Sequence, residues 1–215
     1  MLFAAILTVA APCTEARTVR YQLDPVHTRL VFFIEHFGFS KSIGTFSSPN
    51  GSLLFDEDDW TTAQLEVTIP IDSLDLGESK WNKKMLGSRW FNSKAHPQAR
   101  YTSQSVTVLE DQQLKIDGEL CLRGVCRAQS LLVRMNLQKR NALTLRQTIG
   151  FSATAQVSRS AFGMKGSPSL IGDLATLYIE VEAVRKNTDA ATSAPASTAD
   201  TDSEPDSEND DGTVQ

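Results

Sequence analysis

Apolar and polar residues alternate with a period of two along most of this chain, from Tyr21 to Arg185. Successive side chains of a β-strand point to opposite faces, so this period gives a strand one apolar face, whereas an amphipathic helix repeats every 3.6 residues or so. Turn residues bound the alternating segments, and short connections favour antiparallel neighbours. The pattern therefore predicts an all-β domain. Its eight predicted strands are 28–37, 43–55, 63–71, 100–109, 113–122, 125–137, 147–157 and 174–184.

One stretch, from Ser73 to Pro97, departs from this alternation. Trp81, Met85, Leu86 and Trp90 recur there at helical spacing, which predicts one or two short helices that close an end of the β-structure. Eight antiparallel strands with one apolar face each fit a closed barrel better than a sandwich, although the alternation is compatible with both. A barrel of this size is either filled by its own side chains or holds one ligand, and composition does not decide between them.

The two ends of the chain differ in composition from this domain. The apolar run 1–11 is followed by small residues up to Ala16, which is typical of a signal peptide, although the first positive charge comes only at Arg17. The alternative is an N-terminal core strand or helix. Residues 187–215 contain no aromatic residue, Lys or Arg, which predicts a disordered acidic tail. We expect a signal peptide at 1–16, one domain at 17–186 and this tail at 187–215.

The negative net charge of the chain comes from its C-terminal tail. Eight acidic residues lie in 187–215, so the net charge of −5 divides into −8 on the tail and +3 on the rest. No cluster of Lys and Arg is interleaved with aromatic residues, which argues against nucleic-acid binding.

Motifs for catalysis or metal binding do not occur. The chain has neither Gly-x-Ser-x-Gly nor His-Glu-x-x-His. Its three histidines, His27, His36 and His96, are not spaced as metal ligands, since on one extended strand the first two would face opposite sides. We expect no metal site and no enzyme activity.

Two cysteines flank a predicted hairpin turn. In Cys121-Leu-Arg-Gly-Val-Cys126, a two-residue turn at Arg123-Gly124 places the cysteines opposite each other in a pair close enough for a disulfide. An exported protein would meet oxidising conditions that allow the bond. The alternative is two free cysteines that pack as small strand residues.

Short sequence blocks occur in a fixed order over residues 19–185. The blocks are Tyr21-Gln-Leu-Asp24, Pro-Val-His27-Thr, Gly44-Thr-Phe46, Phe55-Asp56, Ile71-Asp-Ser73, Leu86, Trp90-Phe91-Asn92, His96-Pro97, Gly118-Glu-Leu, Leu122-Arg-Gly124-Val, Gly150-Phe-Ser-Ala153 and Ser158-Arg-Ser-Ala-Phe162-Gly163. Their ordered set resembles the YceI-like family of exported lipocalin-like proteins. Within the predicted cap the family often has an Arg-Asp pair, where this chain reads Lys80-Trp-Asn-Lys-Lys-Met-Leu86.

The resemblance implies an eight-stranded antiparallel, lipocalin-like barrel with a short helical cap. Its elongated apolar cavity would bind a polyisoprenoid chain, such as that of an isoprenoid quinone or a polyprenyl phosphate, and no other cofactor. His36 would either hydrogen-bond to a neighbouring strand or contact the head group of the ligand. We expect the inward residues of three strands to line the cavity: Leu30, Phe32, Ile34, His36, Leu65, Val67, Ile69, Leu177, Ile179 and Val181.

The leading hypothesis is a periplasmic protein that carries or sequesters an isoprenoid lipid. Two alternatives stay open. One is a non-catalytic stress-protective or interaction module with a filled barrel, whose acidic tail binds a partner, and the other is an enzyme that acts on an isoprenoid. A transient membrane contact and a homodimer also stay open.

Overall fold

A computed structural model describes residues 18–110 and 112–186, so the predicted signal peptide and acidic tail lie outside the described residues. These ranges contain one α-helix and ten antiparallel strands. The helix α1 is Ser79–Leu86. The strands are β1 Val19–Leu23, β2 Arg29–His36, β3 Ser40–Phe46, β4 Asn50–Phe55, β5 Gln64–Pro70, β6 Gln98–Val108, β7 Gln113–Leu122, β8 Val125–Arg140, β9 Gln147–Ser158 and β10 Ile171–Arg185.

The strands form a closed barrel because β1 and β2 share the same neighbour, β10. β1 pairs with the C-terminal end of β10, and β2 pairs with the part of β10 that comes before this end. On the other side β1 pairs with β4 and β2 with β3, so β1/β2 and β3/β4 are each one interrupted strand. Counted in this way, eight strands surround the barrel, and β4 joins β5 to complete the ring. The predicted eight-stranded antiparallel barrel is confirmed.

Local turn chemistry explains both interruptions. Between β1 and β2 the Asp24 carboxylate accepts hydrogen bonds from the backbone N–H groups of Val26 and His27, 2.8 and 3.3 Å away. The His27 ring also contacts this carboxylate, which lowers the pKa of Asp24 and raises the pKa of His27. Between β3 and β4, Ser48 adopts a φ of 56°. The prediction of one continuous strand over 43–55 was therefore wrong at this point, and β1 was missed because it is only five residues long.

The cap, residues 71–97 between β5 and β6, fills a gap in the barrel wall. In the described residues β3 does not pair with β5 by backbone hydrogen bonds. Instead, Thr45 of β3 and Asp75 of the cap exchange two backbone hydrogen bonds, of 2.8 and 3.0 Å. α1 begins where the Glu78 carboxylate accepts from the N–H groups of Lys80 and Trp81. One short helix is thus confirmed in the predicted stretch. Among the described residues no helix has the length and apolar character needed to cross a membrane.

The barrel interior has two different halves. In the half that contains β1 and β4, large side chains such as Tyr21, Phe55 and Ile149 are fully buried against one another. We call this the filled half. The other half, enclosed by β2, β3 and the cap, has its own cluster around Phe46, Ile71 and further residues. We call it the open half because it contains an apolar cavity.

Candidate functional site

The open half encloses a cavity of about 300 Å³. Its lining is predominantly apolar and comes from strands on several sides of the barrel together with the cap. A volume of this size lies at the small end of ligand-binding cavities, which range over roughly 300 to 1,000 Å³. The arrangement can therefore enclose part of an apolar molecule away from water.

One face of β2 supplies a continuous stripe of this lining. Leu30, Phe32, Ile34 and His36 point into the cavity, as the alternation predicts. The Phe32 ring packs against Phe46 with its centroid 5.8 Å away. The intervening residues face outward.

The other predicted lining residues divide between the two halves. Ile69 and Leu177 line the cavity. Leu65, Val67 and Val181 do not, and pack instead against the core of the filled half. Ile179 lies between the two clusters and is also absent from the lining. The prediction placed all of them at the cavity because a period of two assigns a face of the barrel but not a depth along its axis.

The cap contributes a wall of the cavity that the sequence prediction left out. Trp81 and Met85 are four residues apart on α1, so both turn toward the same side. Their helical spacing was recognised, but they were expected only to close the end of the barrel. The apolar lining residues from the cap segment are Ile71, Leu74, Leu76, Trp81, Met85, Trp90 and Phe91.

A buried cation, Arg159, also borders the cavity. Its guanidinium donates hydrogen bonds to the carbonyl oxygens of Gly172, Met164 and Ile171. It also lies over the Trp90 ring, 5.4 Å from the centroid, where a cation–π attraction is expected. These contacts fasten the segment after β9 to the start of β10, so this wall of the cavity is held in one position.

His36 does not make the hydrogen bond to a neighbouring strand that was one of its two expected roles. Within the described part of the chain its ring makes no hydrogen bond. It packs against Phe37, with ring centroids 4.5 Å apart, and faces Trp81 at 5.8 Å. Its ring nitrogens are therefore free to meet a polar group of a ligand, and the head-group role stays a prediction.

The cavity reaches solvent at one end of the barrel. Among its lining residues, Phe37, Trp81, Lys84 and Ser167 are exposed. They come from the β2–β3 turn, α1 and the loop before β10. We call the opening between these four residues the mouth. A long ligand would enter or protrude here.

The predicted disulfide is present between Cys121 and Cys126, which are direct cross-strand partners. Arg123 and Gly124 form the turn with φ values of 54° and 75°. Leu120 and Leu122, on either side of Cys121, line the cavity, so the disulfide lies on the outer face. Glu119 is close to both sulfur atoms, and these three residues are the one potential metal-ligand group among the described residues. Because the sulfur atoms are bonded to each other, the group is explained without a metal.

Comparison with known proteins agrees with this architecture. The sequence-family model of the YceI-like domain matches residues 21–183 of this chain. Protein YceI of Escherichia coli O157:H7 is 28% identical over 182 residues, which cover 85% of this chain and 94% of that protein. The crystal structure of BcnA from Burkholderia cenocepacia superposes with a TM-score of 0.67 at 20% identity, covering 74% of this chain and 98% of that chain.

A further solved structure is a polyisoprenoid binding domain from Saccharophagus degradans. Its TM-score is 0.58 at 15% identity, and the match covers 78% of this chain and 99% of that chain. At this level of identity the two structures establish the common barrel fold. Because the family model spans most of the chain, the protein belongs to the YceI-like domain family.

Proposed function

We propose that this protein binds the apolar chain of a polyisoprenoid lipid in the open half of its barrel and carries or sequesters it in the periplasm without catalysing a reaction. The observation that carries the proposal is the cavity itself, bounded by the β2 stripe and the cap. The fold shared with a polyisoprenoid binding domain supports the same ligand class.

The hydrophobic effect supplies the affinity. Each square ångström of apolar surface removed from water contributes about 25 cal/mol, so burial of several isoprene units accumulates a large favourable free energy. Such units need no specific polar partners, which suits a lining made mostly of Leu, Ile, Phe, Met and Val side chains. Binding alone, without chemistry on the ligand, accounts for this composition.

A long chain does not fit entirely into the present cavity, so it either protrudes from the mouth or displaces side chains. Met85 and Met164 both line the cavity, and methionine is flexible enough to change its packing around a ligand. We expect these side chains and α1 to move when the ligand is bound.

The head group is expected near the mouth, where polar side chains occur. Lys84, Ser42 and Ser167 lie there, and Arg159 adds a buried positive charge. Each can donate a hydrogen bond, and both a quinone carbonyl and a phosphate can accept one. The two ligand classes therefore stay candidates.

Organic extraction followed by mass spectrometry tests the proposal. The protein is purified from the periplasm without detergent, extracted, and compared with a matched preparation of Phe32→Arg, which places a charge in the cavity. We expect an isoprenoid in the unaltered protein and its loss from the variant. A folded protein that repeatedly yields no isoprenoid, and takes up none from added quinone or polyprenyl phosphate, would contradict the proposal and favour an interaction module.

A further inference from the structure

Large apolar side chains are exposed around the mouth of the cavity. Phe39 is 92% exposed, while Phe37, Trp81 and Leu170 are each about half exposed. We call these four residues the rim. They come from three segments that meet at one place, since the Phe37 N–H donates to the Leu170 carbonyl at 2.6 Å and the His36 ring touches both Phe37 and Trp81. In water such a group of exposed apolar side chains is unfavourable unless something covers it.

A cleft lined by positive charges lies directly beside this rim. It has a volume of about 400 Å³, and its charged lining residues are Arg89, Arg123 and Lys165. It shares Ser167 with the mouth of the cavity. The lining includes no carboxylate among the described residues, so the cleft favours an anionic group.

Backbone carbonyl oxygens hold one of the three positive charges of this cleft in place. Arg123 donates through its two terminal nitrogens to the carbonyl oxygens of Gly163 and Ser88. Its Nε is buried and makes no hydrogen bond within the described part of the chain. The Arg123 guanidinium is therefore held in the lining of the cleft by backbone carbonyls, and its positive charge adds to those of Arg89 and Lys165.

Further positive charge flanks the rim on α1. Lys80, Lys83 and Lys84 are exposed on this helix, beside Trp81. Aromatic side chains with nearby lysines and arginines are the composition that binds at the surface of an anionic bilayer. The rim and the cationic cleft thus form one surface around an opening through which an apolar ligand must pass.

We propose that this surface docks on an anionic phospholipid bilayer, with the rim inserted among the lipids and the cationic cleft on their phosphate groups, so that ligand passes between membrane and cavity without crossing water. The proposal rests on the proposed lipid-binding function and adds where and how the ligand is exchanged. A bilayer is favoured over a second copy of the chain because the surface combines apolar tips with positive charge, and two such surfaces would repel each other.

The opposite end of the barrel provides an internal control. The β8–β9 turn, residues 141–146, exposes Leu143 by 94% and lies near the end of β10 far from the rim. Lys139, Arg140 and Arg146 flank it. It therefore exposes an apolar side chain beside positive charges, but it contains no aromatic residue and the cavity does not open there.

Vesicle flotation tests the proposal with the full exported chain. Vesicles of phosphatidylcholine alone are compared with vesicles that also contain phosphatidylglycerol. We expect binding to the mixed vesicles and little to phosphatidylcholine, with binding reduced by added salt.

Phe39→Ser should weaken binding about tenfold because one inserted aromatic side chain is lost, whereas Leu143→Ser should leave it unchanged. Neutralising the cleft with Arg89→Gln and Lys165→Gln should cost about fivefold for each charge.

Three results would overturn the docking proposal. Absence of binding to mixed vesicles, equal effects of Phe39→Ser and Leu143→Ser, or a Phe39-dependent dimer in sedimentation equilibrium would each contradict it, the last in favour of a second copy. Phe39 does not line the cavity, so lipid content measured by extraction should be the same in Phe39→Ser and the unaltered protein. The two proposals are tested separately. Absence of extracted isoprenoid would contradict the lipid-binding function, whereas vesicle flotation tests only the docking on a bilayer.

Discussion

The ring of Phe32 lies across Gly44, its cross-strand partner on β3, so closely that a Cβ atom at Gly44 would overlap Phe32 Cζ. The same Cβ would lie 2.8 Å from a methyl group of Leu76 in the cap. The absence of a side chain at residue 44 therefore lets Phe32 lie flat against the wall of the barrel. This one contact joins β2, β3 and the cap and leaves space in the cavity.

Gly44→Ala should push the Phe32 ring into the cavity. We expect reduced lipid content and a decrease in the free energy of unfolding of about 1 to 3 kcal/mol, since an added methyl group in a packed site causes strain. Extraction with mass spectrometry and urea denaturation measure the two effects. Gly150→Ala is the control, because its nearest neighbours would be 3.8 Å away. Equal behaviour of the two variants would show that Phe32 moves aside without affecting the cavity.

Phe32→Arg should abolish lipid binding, because it places an unpaired charge in the apolar cavity. Phe33→Arg is the matched control on the same strand, since Phe33 faces outward and packs edge-on against Tyr178 with ring centroids 5.7 Å apart. Phe32→Ala should keep the fold and leave a space that the ligand partly occupies. Circular dichroism checks folding before extraction. A folded Phe32→Arg protein with its full lipid content would mean that Phe32 does not contact the ligand.

The disulfide should be complete in protein from an oxidising compartment and should contribute only modestly to stability. Cys121 and Cys126 are separated by five positions, so the loop closed is short, and the chain-entropy relation gives at most about 2 kcal/mol. We expect no reactive thiol from these two residues in quantitative labelling of the exported chain. The double change of both to Ser should lower the urea midpoint slightly and leave lipid content unaltered, because the sulfur atoms lie outside the barrel. Two labelled thiols per chain would contradict the prediction.

Tyr101 should make the filled half sensitive to alkaline pH. Its buried hydroxyl donates to the carbonyl oxygens of Ile116 and Gln129, each 3.2 Å away. Burial, with a smaller effect of Asp117, raises the pKa of Tyr101 to about 12 from its ordinary value of 10.0. The native state then holds this proton more tightly than the unfolded chain. Its contribution to stability is complete below about pH 10 and is lost as the pH rises toward about 12.

Urea denaturation across this pH range measures the effect. Tyr101→Phe should lower the free energy of unfolding at neutral pH by about 1 kcal/mol, because a buried hydrogen bond is lost. The difference from the unaltered protein should shrink between about pH 10 and 12. Tyr178→Phe is the control, since Tyr178 is half exposed on the outer face. A constant difference between Tyr101→Phe and the unaltered protein would contradict the prediction.

Local chemistry in the sequence was sufficient to predict the β-strands, the helical stretch and the disulfide, whereas the closed barrel was favoured over a sandwich chiefly by the family resemblance. Phe32 and Phe33 lie on opposite faces because successive side chains of a β-strand point to opposite sides of the sheet. The turn at Arg123-Gly124 fixes the register of its hairpin, and therefore the pairing of Cys121 with Cys126, over only six residues. These features depend on neighbours in the chain, so they can be read without the fold.

Only the tertiary structure decided where the interior is filled and where it is open. Val67 and Ile69 share one face of β5, yet Val67 packs in the filled half and Ile69 lines the cavity. Their different surroundings depend on which side chains reach the same depth from other strands and from the cap, such as Tyr21 in the filled half and Phe32, lying over Gly44, in the open half. The same holds for the rim, where Phe37, Trp81 and Leu170 come together although they are far apart in the chain. Periodicity specifies the direction of a side chain, whereas a cavity and its mouth arise from packing between distant segments.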